Sequence, residues 1–447
     1  MRGPAPLRTL GLLAVLLPAV LAAPERAAAV VKVQQVTSPG GVVAWLVEDH
    51  FVPVVAVKFA FRGGRAVEPD GKEGLAEMVS ALQDEGAGEL DSQAFQQRLQ
   101  DLAIGLSFQA GRDSYGGSLK TLTQNLDAAF ELLRLALTAP RFDAEPVRRI
   151  RGQLLAILAR EAEDPNAIAG RTFTRTIFPE HPYGREPKGT PETLNAITAE
   201  DLRGFVARHL ARDNLVIGVT GDIDAATLAP LLDATFGGLP EAARVPPLAE
   251  ATPVAAGRVQ VVEKAIPQAI IVFGHAGLKR DDPDYISAYV LNYILGGGGF
   301  TSRLIQEVRE KRGLAYSVYS YLQPMDRAAL IVGGVATANA RAGQSIELIR
   351  AEWRRMHESG PTADELDLAK TYLTGSYPLR FTKTDRIAAT LVGIQLDRLG
   401  IDYIERRNGL IEAVTLAGVR RVANRLLDPD ALSFTVVGQP EGLTAGN

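Results

Sequence analysis

The chain has 447 residues, too many for one ordinary core and enough for two or more domains. Apolar residues make up 46% and charged residues 22%, which excludes a disordered chain, and the absence of cysteine excludes disulfides, a thiolate nucleophile and a cysteine-ligated zinc. With 52 acidic against 48 basic residues, the charge balance gives no electrostatic reason to expect nucleic acid.

In chain order, Arg2 and Arg8 form a basic region ahead of a short apolar stretch at 10–20, followed by small residues at Ala22, Ala23 and Ala27. This is the pattern of a secretory signal peptide over 1–29, and it predicts a periplasmic or secreted protein. The stretch is too short for a membrane span, although an uncleaved N-terminal anchor would look the same. Residues 42–47 and 53–61 read as strands, and Gly63 and Gly64 end the second. Helical patterns follow at 73–82 and from Ser92 to Leu102; 106–109 and 114–119 can pair as strands. Two long helices cover 126–137 and 146–160, the second started by Pro146. A turn-rich loop containing His181, Tyr183 and Gly184 precedes a helix at 199–210, a strand at 214–219 and a helix at 225–236.

Residues 237–257 are rich in Gly, Pro, Ala and Glu and read as a linker. Beyond it the first half repeats in outline: 268–273 matches 54–59, a long helix at 342–357 matches 126–137, and the closing strand 432–437 matches 214–219. A repeat of this kind predicts an α+β protein of two homologous domains produced by duplication, 30–236 and 258–447.

One stretch, 295–319, organises the functional reading. Four glycines, Gly296 to Gly299, precede an apolar spacing at Phe300, Leu304, Ile305 and Val308 that predicts a helix. Thr301 or Ser302 can cap its start and Gly313 can end it, before a strand at 314–319. Arg309 then sits near the helix end and Tyr316 early in the strand, so both can face one cleft. The glycine run lacks the Gly-Lys-Ser/Thr of a phosphate-binding loop, and no G-x-S-x-G nucleophile elbow is present.

The run from Gly296 to Ser320 resembles the second-domain signature of the pitrilysin/insulinase-type zinc peptidases, and the other landmarks fit over nearly the whole mature chain. The resemblance implies two α/β-sandwich-like domains, as in mitochondrial processing peptidase. In that family an H-x-x-E-H motif on the first helix of the first domain binds zinc: histidines four apart share a helix face, and the glutamate serves as general base. Here the two histidine positions are Glu77 and Ala81, the base position is Ser80, and no carboxylate occupies 152–158, where the third ligand belongs. None of the five histidines lies three or four residues from another.

Arg309 and Tyr316 do match the family's substrate-binding arginine and tyrosine, which bind the peptide backbone and support the oxyanion. Gly297, Gly298, Gly299 and Phe300 would border the substrate. The resemblance therefore implies the non-zinc subunit of a heterodimeric zinc metallopeptidase, inactive alone. This chain would bind no cofactor, with zinc held by a homologous partner subunit and a peptide or unfolded protein as substrate. The alternative is a catalytically inert peptide-binding or scaffold protein of the same fold.

Overall fold

The computed structural model describes residues 31–254 and 257–443. The predicted signal peptide lies outside the described residues. Among the described residues, eleven strands form two sheets. The first contains β1 (Gln34–Thr37), β2 (Val43–Glu48), β3 (Val54–Arg62), β4 (Gly105–Ala110), β5 (Ser114–Leu122) and β6 (Leu215–Gly221), in the order β1-β2-β6-β3-β5-β4. The second contains β7 (Val259–Glu263), β8 (Gln268–Ala276), β9 (Ala315–Pro324), β10 (Ala329–Ala338) and β11 (Ser433–Gly438), in the order β7-β11-β8-β10-β9.

The two orders are the same path. β2 runs parallel to β6 as β7 does to β11, and every other pair in the shared path is antiparallel. Only β1 is extra, an edge strand paired antiparallel with β2. The strand path is the structural counterpart of the repeat in the sequence, and the fold is α+β.

Side-chain alternation builds each core. Val55, Val57, Phe59 and Phe61 of β3 point into the first core, against Leu75 and Val79 of helix Leu75–Leu82 and Phe130 and Leu133 of helix Leu126–Thr138. In the second core Ile271 and Phe273 of β8 meet Trp353 of helix Ala342–Ser359, whose indole donates 2.9 Å to Nε2 of buried His275.

The opposite faces of the two sheets explain why β3 and β8 read as nearly continuous apolar runs. Helix Thr384–Leu396, from the second half, lies across β6 and β3 of the first sheet. It rests on Gly218, where an added Cβ would lie 2.6 Å from the carbonyl oxygen of Ala388. Gln395 Nε2 donates to Ile217 O at 2.9 Å, and Arg62 donates to Gln395 O at 2.8 Å. Conversely, helix Pro165–Ile177 of the first half packs on β8 and β11 of the second sheet, with Phe173 against Gly274. Each half thus covers its partner's sheet with one helix, and a glycine on the covered strand permits the close approach.

Residues 237–254 have no regular secondary structure but are tied down at several points: Arg212 N donates to Pro240 O at 2.9 Å, Ala251 N to Arg327 O at 2.7 Å, and Val254 N to Ile177 O at 2.9 Å.

Candidate functional site

The glycine run makes a compact turn. A Cβ on Gly296 would lie 2.3 Å from Ser320 Oγ, and one on Gly298 would lie 2.7 Å from Tyr293 O, so side chains there would push the turn off β9 and off the preceding helix. Gly299 has φ +58° and open space around it, so its requirement is conformational. The chain forms one wide π turn at Tyr293–Gly297 and a second at Ile305–Glu310, where a regular α-helix is expected from the spacing. The caps also differ from expectation. Thr301 and Ser302 donate their hydroxyls back to the carbonyls of Gly298 (2.9 Å) and Gly299 (2.8 Å), closing the glycine turn, and neither accepts from a helical N–H. Gly313 does end the segment, at φ +61°, with its N–H 2.7 Å from Arg309 O.

This backbone brings Arg309 and Tyr316 together and adds Phe300. The guanidinium carbon of Arg309 lies 4.7 Å from the Phe300 ring centroid and 4.8 Å from that of Tyr316. Phe300 is 65% and Tyr316 82% exposed, so two aromatic rings stand out from the surface around one cation. Arg309 Nε approaches Glu310 at 3.3 Å; its two terminal amino groups have no hydrogen-bond partner among the described residues. The Tyr316 hydroxyl has none either. The arrangement offers free donors, a guanidinium and a phenol, on an open face.

Ion pairs hold the segment that carries Arg309. Arg303 makes a two-pronged contact to Glu365 at 2.7 Å, and Glu307 accepts from Lys311 and Arg312 at 2.6 Å each. Those bonds keep the Glu307 carboxyl below its ordinary range. Thr337 Oγ1 donates 2.7 Å to Leu314 O and fixes the start of β9. Tyr319 and Tyr321 continue the aromatic row along this edge strand, their rings stacked at 6.2 Å. Two residues apart in one strand, they share a face by alternation, a signal that is readable in the sequence.

The degenerate metal positions lie elsewhere, on helix Leu75–Leu82. Burial raises the Glu77 carboxyl above its ordinary range, with Arg65 and Lys188 pulling the other way. Ser80 donates its hydroxyl to Glu77 O at 2.9 Å, a bond within its own helix. Ala81 has no ligating atom, and the later helix Ala144–Glu163 brings apolar Leu154 and Leu158 to the core. No group of three or more His, Asp or Glu side chains that could hold a metal is found among the described residues. One carboxylate, a self-bonded hydroxyl and a methyl group do not fit a tetrahedral zinc site.

Comparison with known proteins identifies relatives of the chain. A family model described as "Peptidase M16 inactive domain" matches residues 196–373, the stretch that contains Arg309 and Tyr316. A Helicobacter pylori protein named "Non-peptidase homolog YmxG" is 30% identical over 336 residues, covering 74% of this chain and 77% of its own.

The chain belongs to the M16 peptidase family.

Within M16, the pitrilysin/insulinase-type family, it is a member without the metal-binding motif. A second M16 relative, an "uncharacterized zinc protease" of Streptomyces coelicolor, is 32% identical over 328 residues, covering 71% of this chain and 70% of its own. Among solved structures, a peptidase M16 inactive domain from Pseudomonas fluorescens superposes with a TM-score of 0.86 at 27% identity, covering 93% of this chain and 99% of that one.

Proposed function

We propose that this chain is the non-zinc subunit of a two-chain M16 peptidase, secreted or periplasmic, that binds an extended peptide through Arg309 and Tyr316 and presents it to a zinc-bearing homologue. One observation carries the reading: Arg309 is clamped between two exposed rings while its terminal donors stay unpaired. An arginine serving only the surface gains little from such an arrangement, since exposed cation–π contacts contribute about 0.5–1 kcal/mol and two exposed rings remain wet. A clamped guanidinium is already ordered for a peptide carbonyl, which lowers the entropy lost on binding. The tyrosine phenol can donate to a carbonyl oxygen as negative charge develops on it. The chain's own residues bind and orient; bond cleavage falls to the partner.

The test is co-expression with an exported H-x-x-E-H homologue from the same genome, followed by size-exclusion chromatography and hydrolysis of a quenched fluorescent peptide. A one-to-one complex that cleaves, with each chain inactive alone, supports the split site. A homologue equally active by itself, or one that forms no complex, overturns it in favour of an inert peptide-binding or scaffold protein.

A further inference from the structure

Two landmarks with no part in the Arg309 site, the Gly63-Gly64 turn and the loop ending at Gly184, meet around a cavity of about 290 Å³ in the first half. A Cβ on Gly64 would lie 2.3 Å from Gly111 O and 2.8 Å from Arg112 O. Its absence lets Arg65 N donate to Gly111 O at 2.9 Å and Ala66 N to Arg112 O at 3.0 Å. Arg65 and Arg112 are thereby built into one wall. Gly184, where a Cβ would lie 2.1 Å from Phe178 O, closes the loop that carries Tyr183, and the Arg112 guanidinium lies 5.5 Å from the Tyr183 ring centroid.

Most charges lining this cavity are matched. Lys188 pairs with Glu161, Arg185 with Asp70, and Arg171 with Glu186 at 3.7 Å. Glu68 accepts from the N–H groups of Gly74 and Ala76, and burial lifts its carboxyl to about 7, so it is a weak counter-charge. Arg65 and Arg112 make no ion pair and no side-chain hydrogen bond among the described residues. Asp113, adjacent in sequence, is taken by the Tyr183 hydroxyl at 2.6 Å. Glu77 feels the charge of Arg65 without bonding to it. Burial pushes the Arg112 guanidinium below its ordinary range, with the neighbouring Asp113 charge pulling the other way.

Two unmatched guanidiniums in a small concave site suit a planar anion that accepts paired N–H donors. The cavity also touches the second half: Arg327 N donates to the Tyr183 hydroxyl at 3.0 Å, at the turn that follows β9, the strand that carries Tyr316.

We propose that this cavity is a carboxylate-binding site in which Arg65 and Arg112 hold the C-terminal carboxylate of a peptide. The inference rests on the peptide-capture reading and narrows its substrate class to chains with a free C-terminus in reach of the cavity. The test is fluorescence anisotropy of the full chain with a labelled hexapeptide ending in a free carboxylate and with the same peptide ending in an amide. Wild type is compared with Arg65→Gln, Arg112→Gln and Arg112→Lys. The acid should bind about tenfold more tightly than the amide, as expected for loss of a charge-assisted contact. Each glutamine variant should erase that preference, and Arg112→Lys should restore part of it. Equal affinity for acid and amide in wild type, or a preference that survives both glutamine variants, overturns the carboxylate site and leaves peptide capture standing. If neither peptide binds, N-acetylglycine is titrated by NMR. Arginine-dependent binding then supports the site while the peptide-capture reading fails, and no binding overturns the site.

Discussion

The guanidinium of Arg309 lies over the ring of Tyr316, 4.8 Å from its centroid, although the two residues belong to different elements joined by the turn at Gly313. The Phe300 ring lies against the same cation, its centroid 4.7 Å away. Function and stability should therefore separate at this pair. Arg309→Ala should change the thermal unfolding free energy by no more than about 1 kcal/mol, because the contacts are solvent-exposed. In the reconstituted complex the same substitution, or Tyr316→Phe, should lower peptide turnover by about 10²-fold, the scale of losing one oxyanion donor. Unchanged turnover in both variants would remove the proposed roles.

Phe300→Ala tests the clamp itself. It removes one of the two rings against the cation without touching a donor, so turnover should fall less than in Arg309→Ala and peptide affinity should weaken. The comparison of KM with kcat in the reconstituted complex reads this out: a change confined to kcat would contradict a positioning role for the ring.

Gly64→Ala should destabilise the chain by more than about 2 kcal/mol, since the Cβ would fall 2.3 Å from a backbone oxygen that cannot swing away. Gly152→Ala, on an open helix face where nothing lies within 4 Å, is the control and should raise stability slightly. Denaturant titration of the two variants checks both signs.

Cutting the connection between the halves should not release them. A protease site inserted after Ala242 would leave helix Thr384–Leu396 on the first sheet and helix Pro165–Ile177 on the second. The nicked protein should elute as one species in size-exclusion chromatography and split only in denaturant. Leu391→Ala in the nicked protein should weaken the association, because Leu391 is fully buried against the first sheet.

Stability should carry a histidine signature. Burial lowers His209 to about 4, against an ordinary value near 6.5, and its ring stacks on Phe205 at 4.0 Å. The unfolded chain therefore binds the extra proton between those values, so this contribution is full above about pH 6.5 and is lost as pH falls towards 4. Glu68, raised to about 7, acts in the opposite sense, with stability lost as pH rises through its folded value. The prediction is therefore on a difference: relative to His209→Phe, wild type should gain up to about 3 kcal/mol between pH 4 and 7. Parallel pH profiles for the two proteins would refute it.

Much of the fold was legible because local rules agreed with the tertiary outcome. Alternation placed β3 within one residue of its expected range and started β5 and β8 correctly while ending each three residues early, and Gly313 ended its segment as glycine's freedom at positive φ requires. Helix Pro165–Ile177 was not anticipated, because its apolar face is narrow and answers to the other half's sheet. Edge strand β1 is short and only one of its four residues is buried, which leaves little pattern to read. The π turns at Tyr293–Gly297 and Ile305–Glu310 have the apolar spacing of an ordinary helix, so the pattern carries no separate signal for them.

By itself the sequence determined the repeated order of elements, the loss of the zinc motif at Glu77, Ser80 and Ala81, and the seven-residue spacing of Arg309 and Tyr316, since each is a matter of residue identity and spacing. The tertiary structure alone decided that Phe300 completes the clamp, that each half covers the other's sheet, and that Arg65 and Arg112 share a wall without counter-ions. Those relationships join different turns and elements, most of them far apart in the chain, and which charges stay unmatched depends on which side chains meet after folding.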